Sequence, residues 1–198
     1  MVGSTNGDKV MLYSELTAYT HQELSALTHY ELSLSRFRLV TNRTQDDVER
    51  WKELRAKGWI GMTEIERQEW LGEIVTTPAA TRGMYTHVDF NRVESAVATI
   101  LERFKNLGYK VPTLTIKTDW SYSDELRDTD MKRYYDNIAV IRSLIPLSSS
   151  TPMAPTINDR LDYKRANDIE QILTDVNIAV ENLTQSWFYA GEVLSGEV

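Results

Sequence analysis

Histidines, carboxylates and hydroxyls are the side chains with which this sequence could do chemistry. The histidines are His21, His29 and His87. Metal ligation from a helix needs a second ligand three or four residues away, and no His-x-x-x-His or Glu-x-x-His occurs. His21 and His29 hold equivalent places in a repeat, which explains them better than ligation. Carboxylates gather at Asp46-Asp47-Glu49, Glu64-Glu66-Glu69 and Asp124-Glu125-Asp128-Asp130. The first two fit helix starts and solvated faces. The third contains Asp128-x-Asp130, a fragment of a calcium loop without its glycine and closing glutamate. Any carboxylate pair can be posed as acid and base, but no sequence feature marks one whose pKa would be raised. There is no Gly-x-Ser-x-Gly elbow, no Ser-x-x-Lys and no phosphate-binding Gly-x-x-x-x-Gly-Lys. The sequence has no cysteine, which excludes disulfides, thiolate nucleophiles and Cys-ligated zinc. The expectation is a non-enzymatic protein with no cofactor and no metal.

Five tryptophans and ten tyrosines invite a sugar-binding reading. Trp51, Tyr134 and Trp187 fall on inward faces and belong to a core. Trp59 and Trp120, beside turns, are the candidates for an exposed platform. Twenty-two basic against twenty-nine acidic residues leave a net charge of −7, which disfavours nucleic acid as a partner. No run approaches the ~18 apolar residues of a membrane span, and no signal-peptide core is legible.

The element that must position everything else is Thr86–Leu107. Phe90, Val93, Val97, Ile100, Leu101, Phe104 and Leu107 recur at the spacing of one helix face. Thr86 is a candidate N-cap with Asp89 in the capping-box position, and Gly108 is the stop. A second helix opens at Thr44 with Val48, Trp51 and Leu54 inward, and ends at Gly58. Thr63 and Glu66 box a short third helix with Ile65 and Trp70 or Leu71 inward and Gly72 as its stop. Residues 73–85 read as a loop holding Pro78 and Gly83. Lys110–Lys117 alternates like a strand, weakened by Pro112. Another helix begins near Thr129, turns Met131, Tyr134, Tyr135, Ile138, Ile141 and Ile145 inward, and stops at Pro146. Ser148–Pro155 reads as a linker. A last long helix runs from about Arg165 to Trp187, with Ile169, Ile172, Leu173, Val176, Val180 and Leu183 facing the Thr86 helix. The tail after it predicts a hooked strand pair or a docking element.

The N-terminal region is different. LYSELTAY, THQELSAL and THYELSLS align with a period of eight over Leu12–Ser35, placing Leu16, Leu24 and Leu32 in register. On one continuous helix each repeat would rotate by ~80°, so these leucines would spiral and form no stripe. A staircase of capped single turns keeps them aligned, and so does an extended strand. The staircase is favoured because Thr-x-x-Glu recurs at Thr20 and Thr28. So short a segment cannot bury its leucines against itself, so it folds onto its own domain or docks into a neighbouring subunit. Leu16, Leu24, Leu32, Trp187 and Tyr189 are the expected partner-docking residues. The expected fold is mainly α, a bundle of two to three long helices plus short helices and minor β. The expected division is an arm over residues 1–40 and a helical domain with a C-terminal tail over 41–198.

Several short motifs run through the domain. They are Asn42-Arg43-Thr44-x-x-Asp47-Val48, Lys57-Gly58-Trp59, Asp89-x-Asn91-Arg92-Val93-Glu94 and Lys117-Thr118-Asp119-Trp120. Met131-x-Arg133-Tyr134, Ala166-Asn167-Asp168-Ile169-Glu170 and Ser195-Gly196-Glu197 continue the pattern. Together they resemble small structural proteins from the tail, baseplate and fibre region of phages, prophages and phage-tail-like particles of Gram-positive bacteria. The resemblance spans nearly the whole chain, and the octad repeat resembles sequences in the same group. The motifs are patterns of Asn, Arg and Trp inside helices, with no catalytic signature. Arg82-Gly83-x-Tyr85 departs from the Lys-Gly-Ala-Tyr-like stretch expected before the long helix.

The resemblance implies a virion subunit, assembled in the host bacterial cytoplasm, whose partners are other particle proteins and further copies in a symmetric array. A receptor- or glycan-binding module acting on the host cell wall is the alternative. A protein of the head or head–tail connector is another.

Overall fold

The computed structural model describes residues 38–71 and 82–195. Leu16, Leu24, Leu32, His21, His29, Gly72 and Pro78 lie outside the described residues. Five helices are described: α1 Gln45–Gly61, α2 Glu64–Leu71, α3 His87–Asn106, α4 Asp128–Ser143 and α5 Tyr163–Ser195. The mainly helical expectation is met.

α3 forms where its pattern places it. The Thr86 amide donates to Asp89 Oδ2 at 2.8 Å, and the Val88 amide to Thr86 Oγ1 at 3.2 Å. Gly108 takes a φ of +80°, a conformation that costs glycine little, while the Tyr109 amide closes back on the Phe104 carbonyl at 2.9 Å. Phe90, Val93, Val97, Ile100, Leu101 and Phe104 are all buried. They meet Tyr134, Ile138 and Ile141 of α4 and Ile169, Ile172, Leu173, Val176 and Val180 of α5 in one core. α3, α4 and α5 pack pairwise on one another.

α1 and α2 form a hairpin with a small cluster of its own, Leu54 and Met62 with Trp70 against them. Thr44 and Asp47 cap α1 reciprocally, and Thr63 and Glu66 cap α2 the same way. Gly58 interrupts α1 at φ +63°, as its composition anticipates, and one more turn reaches Gly61.

Five expectations are corrected. Ile65 points outward and is 69% exposed. Beside Trp70, the face of α2 that meets α1 is ionic, with Arg50 on Glu69 at 2.8 Å and Lys57 on Glu66 at 2.5 Å, and these pairs set the helix rotation. Among the described residues no strand forms, so the minor β is not found there. Lys110–Lys117 does turn Val111, Leu114 and Ile116 onto the core. Side chains, not a neighbouring strand, satisfy its backbone: Thr115 O accepts from Arg133 and Asn137, each at 2.9 Å. Ser148–Pro155 is no free linker. Thr151 and Pro155 are buried, and Arg142 Nε donates to the Pro152 carbonyl at 2.6 Å. Among the described residues the tail forms no hooked strand pair, since α5 continues through Trp187 and Tyr189 to Ser195. The side chains of Trp187 and Tyr189 lie outside the described residues. Finally, Trp120 is 6% exposed, which removes it as a surface platform, whereas Trp59 is 52% exposed.

Candidate functional site

The charged residues of the sequence motifs converge on two buried clusters along α3. The first is built on Glu170, whose side chain is wholly buried on the inner face of α5. Its carboxylate accepts from Arg43 Nη2 at 2.6 Å, from Arg92 Nη2 at 2.8 Å and Nε at 3.2 Å, and from the Val40 amide at 2.6 Å. Asp89 Oδ1 joins the same two arginines, at 3.2 Å from Arg43 and 2.5 Å from Arg92. Two carboxylates thus face two guanidiniums, and the buried charge balances. Burial alone would lower the Arg92 guanidinium pKa. Its hydrogen bonds and the charges of Glu170 and Asp89 overcome that and hold it above its ordinary value.

Asn167 fixes the chain that carries Arg43. It accepts from the Arg43 amide and donates to the Arg43 carbonyl, both at 2.9 Å. The segment before α1 is therefore tied to α5, and residues 38–40 run along the helical body. Tyr85 lies under Arg43, whose guanidinium carbon is 5.4 Å from the ring centre. The Tyr85 and Tyr134 hydroxyls share a 2.6 Å hydrogen bond. Burial pushes both phenols well above their usual value, and the negative charge of Glu170 adds to the rise at Tyr85.

Glu94 organises the second cluster from the next turn of α3. Arg133 of α4 grips it in two-point fashion, Nη1 to Oε2 at 2.6 Å and Nη2 to Oε1 at 2.8 Å. The Trp120 indole donates to it at 2.9 Å and the Lys117 amide at 2.7 Å. The Glu94 carboxylate holds the Arg133 guanidinium above its ordinary pKa. Asn91 clamps the Trp120 backbone as Asn167 clamps that of Arg43, accepting from its amide at 2.7 Å and donating to its carbonyl at 2.9 Å. Trp120 looked exposed because it sits in a polar stretch. Its one polar atom in fact has a buried acceptor.

The motif residues Arg43, Asp89, Asn91, Arg92, Glu94, Trp120, Arg133, Asn167 and Glu170 are thus brought together, and helical periodicity alone does not assign them. One signal was available. Glu94 lies four residues after Phe90 and three before Val97, so it falls on the apolar stripe. Glu170 stands likewise four after Ala166 and three before Leu173. A carboxylate on an inward face needs a partner from another element.

In the two acidic clusters expected at helix starts, Asp47 and Glu66 accept from the Thr44 and Thr63 amides at 2.7 and 2.9 Å, and in the third cluster Asp130 Oδ2 likewise accepts from the Arg127 amide at 3.2 Å, at the start of α4. His87 is the first residue of α3. Among the described residues no three His, Asp or Glu side chains form a metal-ligating group. No described helix is long and apolar enough to cross a membrane.

Beside the Glu170 cluster lies a cavity of about 840 Å³. Trp51, Trp70, Arg82, Met84, Val88 and Arg92 are among its walls. The Arg82 guanidinium reaches across to the carbonyl and side-chain oxygens of Asn42. Gly83 beside it has no room for a side chain, since a Cβ there would come within 2.1 Å of the Asp47 carbonyl oxygen. Three buried N–H groups of wall residues, Arg43 Nε, Trp51 Nε1 and Arg82 Nε, have no acceptor.

Compared with known proteins, the chain matches no family model, no curated protein and no solved structure.

Proposed function

We propose that this protein is a non-enzymatic structural subunit of a phage or phage-tail-like particle, acting through protein–protein docking in the tail, baseplate or fibre attachment. The observation that carries the reading is the use made of the motif residues. The residues on which the resemblance rests hold three helices and the two connecting segments in register by buried pairs and clamps. A part that must keep its shape while neighbours pull on it benefits from such cross-ties. The octad leucines Leu16, Leu24 and Leu32 and the tail residues Trp187 and Tyr189 are the proposed contacts. Repetition in a symmetric array makes weak contacts of this kind strong through effective concentration. The virion is the proposed location.

The test is deletion of residues 1–35. The helical domain is expected to keep its circular-dichroism spectrum while particles fail to assemble, and normal particles carrying the shortened chain would refute the reading. The alternative, a glycan-binding module, is favoured by one observation: Trp59 is half exposed at the tip of the α1–α2 hairpin with Arg67 stacked 5.3 Å from its ring centre. Quenching of Trp59 fluorescence by cell-wall glycans, lost in Trp59→Ala, would support it, and an unchanged spectrum would dismiss it.

A further inference from the structure

Residues that line the cavity beside the Glu170 cluster carry buried hydrogen-bond donors that the fold leaves without acceptors. We propose that the cavity is a docking site for an acidic peptide segment of a partner protein. A carboxylate of that segment would meet the arginines, and a neighbouring aliphatic side chain would lie against Trp70, Met84 and Val88.

Charge is the first ground. Four arginines and one aspartate line the cavity. Arg43 and Arg92 are balanced by Asp89 and Glu170, and Arg82 faces Asp47 across 3.8 Å, so the uncompensated charge of the wall is that of Arg38. That distance is beyond hydrogen-bond reach, so Arg82 Nε is ion-paired with Asp47 but donates no hydrogen bond to it. In a chain of net charge −7, these four arginines against Asp47, Asp89 and Glu170 leave the surroundings of the cavity positive by one charge.

Donor chemistry is the second ground. Arg43 Nε, Trp51 Nε1 and Arg82 Nε are buried without acceptors. Guanidinium and indole N–H groups only donate, so a partner must bring acceptor oxygens. Carboxylates and peptide carbonyls do so. Sugar hydroxyls would bring donors as well, and Asp89 is the one carboxylate in the wall to receive them. The three N–H groups are closed to water and Arg43 is fixed by Asp89 and Glu170, so an acceptor reaches the other two as Arg82 or Trp51 turns, and the Trp51 indole resonance reports that turn. The third ground is size and lining. A volume of about 840 Å³ holds several residues, and the aliphatic part of the wall has no use for a bare small anion.

The proposal stands on this cavity alone and does not depend on the particle reading. Assembly and peptide binding can fail separately.

The experiment uses the full chain, labelled with nitrogen-15, and the capped hexapeptide acetyl-Ala-Leu-Glu-Glu-Leu-Ala-amide. Binding is followed by calorimetry and by the indole N–H resonances. The Trp51 resonance is expected to shift, and the Gln-for-Glu peptide to bind about tenfold more weakly or worse, as loss of charge-assisted bonds implies. Val88 is 57% exposed at the second position of α3, where an acidic side chain suits the helix start. Val88→Glu should therefore fold normally yet lower affinity about tenfold, while Val88→Lys should keep it. Absence of any shift at millimolar peptide, equal binding of the Gln peptide, or no effect of Val88→Glu in a folded chain would each overturn the proposal. So would an equal shift with glutarate or inorganic phosphate, which would make the site one for small anions.

Discussion

Replacing Glu170 by glutamine is the sharpest test of how this fold is held. The Glu170→Gln side chain keeps its length but loses its charge and gains an NH2 group. Every neighbour of that carboxylate is a donor: two guanidiniums and the Val40 amide. The new amide therefore faces N–H groups, and Asp89 alone remains against Arg43 and Arg92. Removing one partner from a buried ion pair costs about 3–5 kcal/mol, because the charge left behind is uncompensated. For a domain of this size that lowers Tm by roughly 6–20 °C. Urea unfolding at neutral pH should show a lower midpoint with an unchanged slope. The loss should persist in high salt, since buried pairs are little screened. Glu102→Gln is the control. That carboxylate is exposed, 3.5 Å from Lys105, and its loss should stay within about 0.5 kcal/mol. A Glu170→Gln loss below about 1 kcal/mol would show that the cluster does not hold α3 to α5, contrary to the reasoning.

Three further predictions concern the α1–α2 hairpin and Gly83, which packs against it. The hydrogen bond from Lys57 and the Thr63 cap depress the Glu66 pKa from 4.5 to about 2. A depressed carboxylate stabilises the fold above its unfolded pKa and loses that contribution as pH falls toward its folded value. The stability gap between wild type and Glu66→Gln should thus be full above pH 5 and vanish toward pH 2, and a gap that does not change over that range would contradict the pairing. Gly83→Ala places a methyl 2.1 Å from the Asp47 carbonyl oxygen and 2.7 Å from Trp51 Cβ, so backbone must move. A loss of about 1–3 kcal/mol or more follows from overpacking, together with weakening of the Arg82–Asn42 bridge. Gly58→Ala, in open space but at φ +63° and ψ 165°, a region essentially reserved for glycine, should cost roughly 1–3 kcal/mol through backbone strain alone. Denaturant midpoints of the two variants measure both losses.

The sequence by itself determined the parts whose causes are local. α3 was legible from Phe90 to Phe104, with its Thr86–Asp89 cap and Gly108 stop, because periodicity and capping need only neighbours within four residues. The same holds for the Thr44–Asp47 and Thr63–Glu66 caps and for the inward faces of α4 and α5. Tertiary structure decided what depends on distant partners. Ile65 was read inward by pattern, yet Arg50 and Lys57 on α1 rotate α2 so that its acids face in. Trp120 was read as exposed from its polar surroundings, yet Glu94, twenty-six residues earlier, supplies the acceptor that lets its indole be buried. Val111, Leu114 and Ile116 alternate as a strand would, yet the backbone beside them pairs with Arg133 and Asn137 of α4. The motif residues were visible as a pattern. Only folding shows why they recur together: charges on apolar helix faces must be met by charges from elsewhere in the chain, and no spacing along the sequence specifies which.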